Sequence, residues 1–178
     1  SAYASFANGG KKVNPNLISR IQDRRGKTIF KLANKKCIGC DKFLNDSEKY
    51  PIIQYENERV FSEETAYQIT SILEGVVKRG TAKKLRDLKV PLAGKTGTTN
   101  NNYDAWFIGF SSDLVIGVYV GFDNPKTLGK YETGSKAALP IFKNFVKNAL
   151  YKEDFREFTI PPGIYLTSLN YDTGLKSS

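Results

Sequence analysis

Lys95-Thr96-Gly97-Thr98 stands directly after Gly94 and before Thr99, and these residue types can hold an anionic substrate. The lysine supplies a fixed positive charge, and the hydroxyls can donate to a carboxylate. The glycine leaves room for a substrate backbone beside a strand. A strand edge can also take an extended peptide by adding it to the sheet. The same residues equally suit a surface strand with a solubilising lysine, so the motif alone decides nothing. The chain has no histidine, which removes Ser-His-Asp and Cys-His catalysis together with the commonest metal ligand. Catalysis here must use lysine, carboxylate or hydroxyl groups.

Cys37 and Cys40 form a single Cys-x-x-Cys. A closed zinc site wants four N or S ligands, so no metal is expected, and no motif calls for a cofactor. A short local disulfide or two spectator thiols in a polar loop remain open. The net charge of +9 favours an acidic partner, but Lys11-Lys12, Arg24-Arg25, Lys35-Lys36 and Lys83-Lys84 are scattered pairs without interleaved aromatics. They read as a solvated basic face rather than a nucleic-acid site.

The elements that must position the motif follow from periodicity. At 178 residues, 40% hydrophobic, the chain can bury the core of one domain. The longest apolar run, Leu114 to Phe122, is far short of the roughly 20 residues of a membrane-spanning helix. Ser1 to Ala7 lacks the pattern of a signal peptide, so any export signal is expected elsewhere. Residues 1–10 read as a helix end with Tyr3, Phe6 and Ala7 on one side and Asn8-Gly9-Gly10 as the stop. Leu17 to Ile21 and Thr28 to Leu32 flank Arg25-Gly26 as a hairpin.

Residues 33–59 are polar and carry both cysteines, and they read as an irregular surface insertion. A helix runs from an N-cap at Ser62 to Gly80, with Ala66, Ile69, Ile72, Leu73, Val76 and Val77 on its apolar side. Residues 92–99, 105–110 and 114–122 predict an antiparallel meander. A last helix starts near Pro140 and presents Ile141, Phe142, Phe145, Val146 and Ala149 to the sheet. Residues 161–178 read as the start of a C-terminal tail after a main unit of 1–160, with Ile164 to Leu175 beginning another strand pair.

Six segments in order carry a resemblance. They are Tyr3 to Gly10, Thr65 to Leu73, Val76 to Ala82, Ala93 to Asn100, Asp104 to Phe110 and Gly117 to Asn124. Together they resemble the C-terminal part of the transpeptidase domain of class A, bifunctional penicillin-binding proteins, and Lys-Thr-Gly is a known signature of that group. The resemblance implies an α+β fold, an antiparallel β-sheet flanked by helices as in penicillin-binding transpeptidases and β-lactamases, here incomplete. It implies a serine acyltransferase that cross-links peptidoglycan stem peptides ending in D-Ala-D-Ala and is acylated by β-lactams. In that scheme Lys95 gives electrostatic and proton-transfer support, and Thr96, Gly97 and Thr98 line the substrate carboxylate. The Thr98 backbone N–H would be one oxyanion donor. Asp104, Trp106 and Gly109 would brace the neighbouring strand, Trp106 by core packing.

The departures are as informative. No serine is followed by lysine three positions later, so the Ser-x-x-Lys nucleophile is missing and the chain alone is expected to be inactive. Ser168-Leu169-Asn170 and Tyr55-Glu56-Asn57 mimic the family's Ser-x-Asn segment but stand in the wrong places. Gly134-Ser135-Lys136 replaces the usual Gly-Gly-Ser before the last helix. The resemblance therefore predicts a truncated transpeptidase, whose parent also carries a glycosyltransferase domain and a membrane anchor and works on the periplasmic side of the cytoplasmic membrane. A non-catalytic cell-wall peptide-binding module is the alternative, with a β-lactamase relative behind it. An incomplete sheet should leave an unpartnered edge, which a homodimer could cover; a strictly monomeric mass by light scattering would contradict that pairing.

Overall fold

The computed structural model describes residues 2–32, 35–38, 52–55, 57–150, 155–170 and 172–176. Helix α1 spans Ala2–Ala7 and ends where Gly9 and Gly10 take positive φ (72° and 93°). Tyr3 and Phe6 pack edge-on to each other, Tyr3 reaches Phe110 and Phe6 reaches Phe61. The buried residue of α1 is nonetheless Ser5, with Tyr3, Phe6 and Ala7 half-buried around it.

The hairpin forms as β1 (Arg20–Gln22) and β2 (Thr28–Lys31), antiparallel, with Gly26 at φ 81° in the turn. Its strands are shorter than the sequence suggested, and every strand residue is exposed. Within the insertion expected to be irregular lies a second antiparallel pair, β3 (Lys35–Ile38) with β4 (Ile52–Tyr55), from Lys35↔Tyr55 to Ile38↔Ile52. Cys37 on β3 is disulfide-bonded, while Cys40 and Glu56 lie outside the described residues.

Helix α2 (Glu63–Lys78) begins as expected: the Ser62 hydroxyl accepts from the Thr65 N–H, and Glu63 and Glu64 sit in the positive first turn. The Glu64 carboxyl titrates below its usual range, held down by a backbone hydrogen bond and by Ser62. Of the apolar positions read from the sequence, Ala66 and Val77 are buried but Ile72 is 69% exposed. A 3-10 turn at Lys83–Leu88, not foreseen, follows and buries Leu85.

The meander is β5 (Ala93–Thr98), β6 (Ala105–Phe110) and β7 (Val115–Val120), in the order β5-β6-β7 and antiparallel throughout. Helix α3 (Leu139–Ala149) enters through a π-helical turn at Gly134–Ala138, with Pro140 in its first turn, where a missing N–H costs nothing. The core gathers Val77, Leu85, Leu92, Phe107, Val118, Leu139, Phe142 and Val146. Here the expected α3 face is corrected. Leu139, Phe142 and Val146 are buried, whereas Ile141 and Phe145 are 52% and 47% exposed.

Two glycines explain how α3 lies so close to the sheet. Gly94 and Gly109 face each other across β5 and β6. A Cβ on Gly94 would meet the Phe107 ring at 2.8 Å, and one on Gly109 would meet the Phe142 ring. The two rings therefore settle edge-to-face, 4.8 Å apart, in a slot that side chains would fill. Beyond α3, Phe158 packs on Phe110 and Arg156 pairs with Asp113. Among its described residues the tail makes one isolated bridge, Leu169↔Lys176, in place of the expected strand pair.

Candidate active-site strand

β5 carries Lys95, Thr96, Gly97 and Thr98 and, among the described strands, pairs on one side alone, with β6. The Thr99 N–H donates to the Asp104 carbonyl across the turn (3.1 Å). Antiparallel ladders alternate, so Lys95 and Gly97 also direct their backbone groups at β6, and Thr96 and Thr98 direct theirs to the open edge. Side chains alternate as well. Thr96 pairs across the ladder with Phe107, so the two threonines share the α3 face, while Lys95 and Gly97 share the opposite face with Trp106. The Lys95 ammonium bends round the edge and donates to the Thr96 carbonyl (2.8 Å). Strand geometry thus separates Lys95 from the two hydroxyls by face, and its ammonium reaches the open edge.

Both hydroxyls are held from outside the strand. Thr98 Oγ1 accepts from the Gly134 N–H (3.0 Å), at the start of the turn that leads into α3. Gly134 can come this close because it has no side chain: a Cβ there would run into the carbonyls of Trp106 and Gly97. Thr96 Oγ1 lies 2.9 Å from Thr81 Oγ1, in the turn after α2. The sequence reading gave neither Thr81 nor Gly134 a part. Thr81 sat in a segment quoted only for resemblance, and Gly134 was noted only as a departure.

The bracing residues are mostly as expected. Asp104 ties the β5–β6 turn together: its N–H donates to Thr99 Oγ1 (2.8 Å), and its carboxylate accepts from the Tyr119 hydroxyl (2.8 Å). That hydrogen bond, more than any other cause, raises the Tyr119 pKa above its ordinary value. Trp106 is not core. It is 41% exposed and packs against Tyr119 with tilted rings whose centroids lie 4.7 Å apart, and a Cβ on Gly97 would meet its Cβ at 3.2 Å. It braces β5 through glycine rather than through burial. Asn170 of the Ser-x-Asn mimic closes a turn, its side chain accepting from the Asp172 and Thr173 N–H groups, far from β5 in chain and role.

The described core is thus a three-stranded antiparallel sheet that ends in the Lys-Thr-Gly strand and is backed on one face by α3. The family model described as "Penicillin binding protein transpeptidase domain" matches residues 1–147, and the chain belongs to that family. Penicillin-binding protein 1A of Rickettsia typhi is 44% identical over 177 residues, 98% of this chain and 22% of the relative. The chain therefore spans about a fifth of that relative's length. The crystal structure of penicillin-binding protein 1A from Haemophilus influenzae superposes with a TM-score of 0.80 at 36% identity, over 99% of this chain and 29% of that one. Penicillin-binding protein A from M. tuberculosis, solved as an imipenem acyl-enzyme complex, shares the fold: TM-score 0.54, 23% identity, 82% and 29% covered. The chain is a fragment of a transpeptidase domain, with an α+β fold and an incomplete sheet.

Proposed function

We propose that this chain supplies the substrate-holding wall of a peptidoglycan D,D-transpeptidase, and that the nucleophilic serine and its lysine belong to a segment outside these 178 residues. The observation that carries this reading is the open edge of β5 with two externally held hydroxyls beside it. A stem peptide ending in D-Ala-D-Ala adds along that edge as an extended strand. Its terminal carboxylate takes hydrogen bonds from the Thr96 and Thr98 hydroxyls, and Gly97 lets its backbone lie flat. The Thr98 N–H, turned outward by the ladder, donates to the oxygen that becomes negative as the serine attacks the penultimate carbonyl. The Lys95 ammonium supplies positive charge and proton transfer at the same edge. A β-lactam, with its carboxylate and strained amide, follows the same contacts.

The parent in this reading is a bifunctional enzyme with a glycosyltransferase domain, tethered to the cytoplasmic membrane and facing the periplasm. The fragment by itself is inactive, because no Ser-x-x-Lys occurs in it. β7 pairs only with β6 among the described strands, and a second copy of the fragment can cover its free edge.

The test labels membranes of the source organism with fluorescent penicillin, precipitates with antiserum raised against this chain and sizes the labelled band. A labelled band far above 19.9 kDa is the expected result. An unlabelled band near that mass would replace the enzyme reading with a stand-alone module that binds cell-wall peptide without reacting.

A further inference from the structure

A hydroxyl has one proton to give, so its neighbours decide where that proton points. The Thr98 hydroxyl accepts from the Gly134 N–H, an obligate donor, and keeps its own proton free. The Thr96 hydroxyl faces that of Thr81 at 2.9 Å, where either can donate. Only one polarity leaves both strand hydroxyls able to donate to the same anion: Thr81 gives its proton to Thr96.

We propose that Thr81 is a positioning residue of the carboxylate subsite, its hydroxyl donating to Thr96 so that the Thr96 and Thr98 protons are both directed at an incoming carboxylate. The proposal rests on the reading of Thr96 and Thr98 given above and adds a third hydroxyl from another element. The Thr81 hydroxyl is held at this position because its backbone is anchored on both sides. The Gly80 and Ala82 N–H groups both donate to the Val76 carbonyl (3.1 Å each), and the Lys83 N–H donates to the Gly80 carbonyl (3.2 Å). Gly80 presses against α2, where a Cβ would meet the Val76 Cα at 2.8 Å, and Ala82 is fully buried. Between these fixed points the Thr81 side chain projects outward and reaches β5.

The experiment uses the intact transpeptidase domain, in which this chain is joined to the segment bearing the Ser-x-x-Lys serine. Acylation rate constants are measured with benzylpenicillin and with its carboxamide, which lacks the anion. Thr81→Val keeps the shape of the residue and removes the donor. It should slow acylation by benzylpenicillin about tenfold, the effect of one lost hydrogen bond, while the carboxamide changes by less than about twofold. Thr81→Ser should restore most of the benzylpenicillin rate, which a packing role for the methyl group would not allow. Equal losses on both ligands, or no loss on benzylpenicillin, overturn the proposal. A wild-type domain that acylates equally with acid and carboxamide overturns the carboxylate reading itself, and this proposal with it.

Discussion

Thr98 and Thr96 meet different partners outside their strand, one a backbone amide and the other a third hydroxyl. The motif itself was legible in the sequence because its residues are consecutive and glycine is hard to explain inside a strand. The partners were not, because they lie 15 and 36 residues away and meet the strand only once the helices pack. Gly134 shows how tight that meeting is. Replacing it with alanine drives a methyl group into the Trp106 and Gly97 carbonyls. Gly134→Ala should cost about 1–3 kcal/mol, the usual range for an overfilled contact. Urea denaturation of the variant should show a lower midpoint at an unchanged slope. An unchanged midpoint would mean that the turn can move away from β5 without loss.

The elements were read more accurately by type than by face. α2, α3 and all three strands of the meander were expected within a residue or two of where they fall, since caps, a first-turn proline and alternation are local signals. For α3 the sequence offers two neighbouring apolar stripes, and periodicity cannot choose between them. The choice is made by the glycine slot, which admits the Phe142 ring and turns Leu139 and Val146 inward with it. Phe142→Ala should therefore cost about 3–5 kcal/mol. Ile141→Ala, one position away, should stay within about 0.5 kcal/mol. Guanidinium unfolding of the two variants separates these outcomes, and a large loss at Ile141 would restore the face expected from the sequence. The β3–β4 pair was missed because each strand is four residues long and the pairing spans a long polar stretch, which leaves no local turn signal.

At the scale of the molecule, the fold class and family were legible because six segments appear in a fixed order, a far more specific signal than any one of them. That the hairpin and the 33–59 insertion leave the body together was not, since nothing in their composition says how the chain returns. The structure answers with a neck. Lys11 and Arg59 bridge antiparallel, the Lys12 N–H donates to the Glu58 carbonyl (2.8 Å), the Val60 N–H donates to the Gly10 carbonyl (2.8 Å), and the Arg59 guanidinium donates to the Gly9 carbonyl (2.7 Å). The chain leaves and re-enters at one point, and every residue of β1 and β2 is exposed. Replacing residues 13–57 with an Asn-Gly turn, which suits a tight antiparallel connection, should leave a cooperative transition with Tm shifted by no more than about 5 °C. Calorimetry decides it: a broad or absent transition would mean that the segment supports the sheet. The neck holds the two ends of residues 13–57 side by side, so an appendage of some forty-five residues can be gained or lost there without parting the chain that leads into α2.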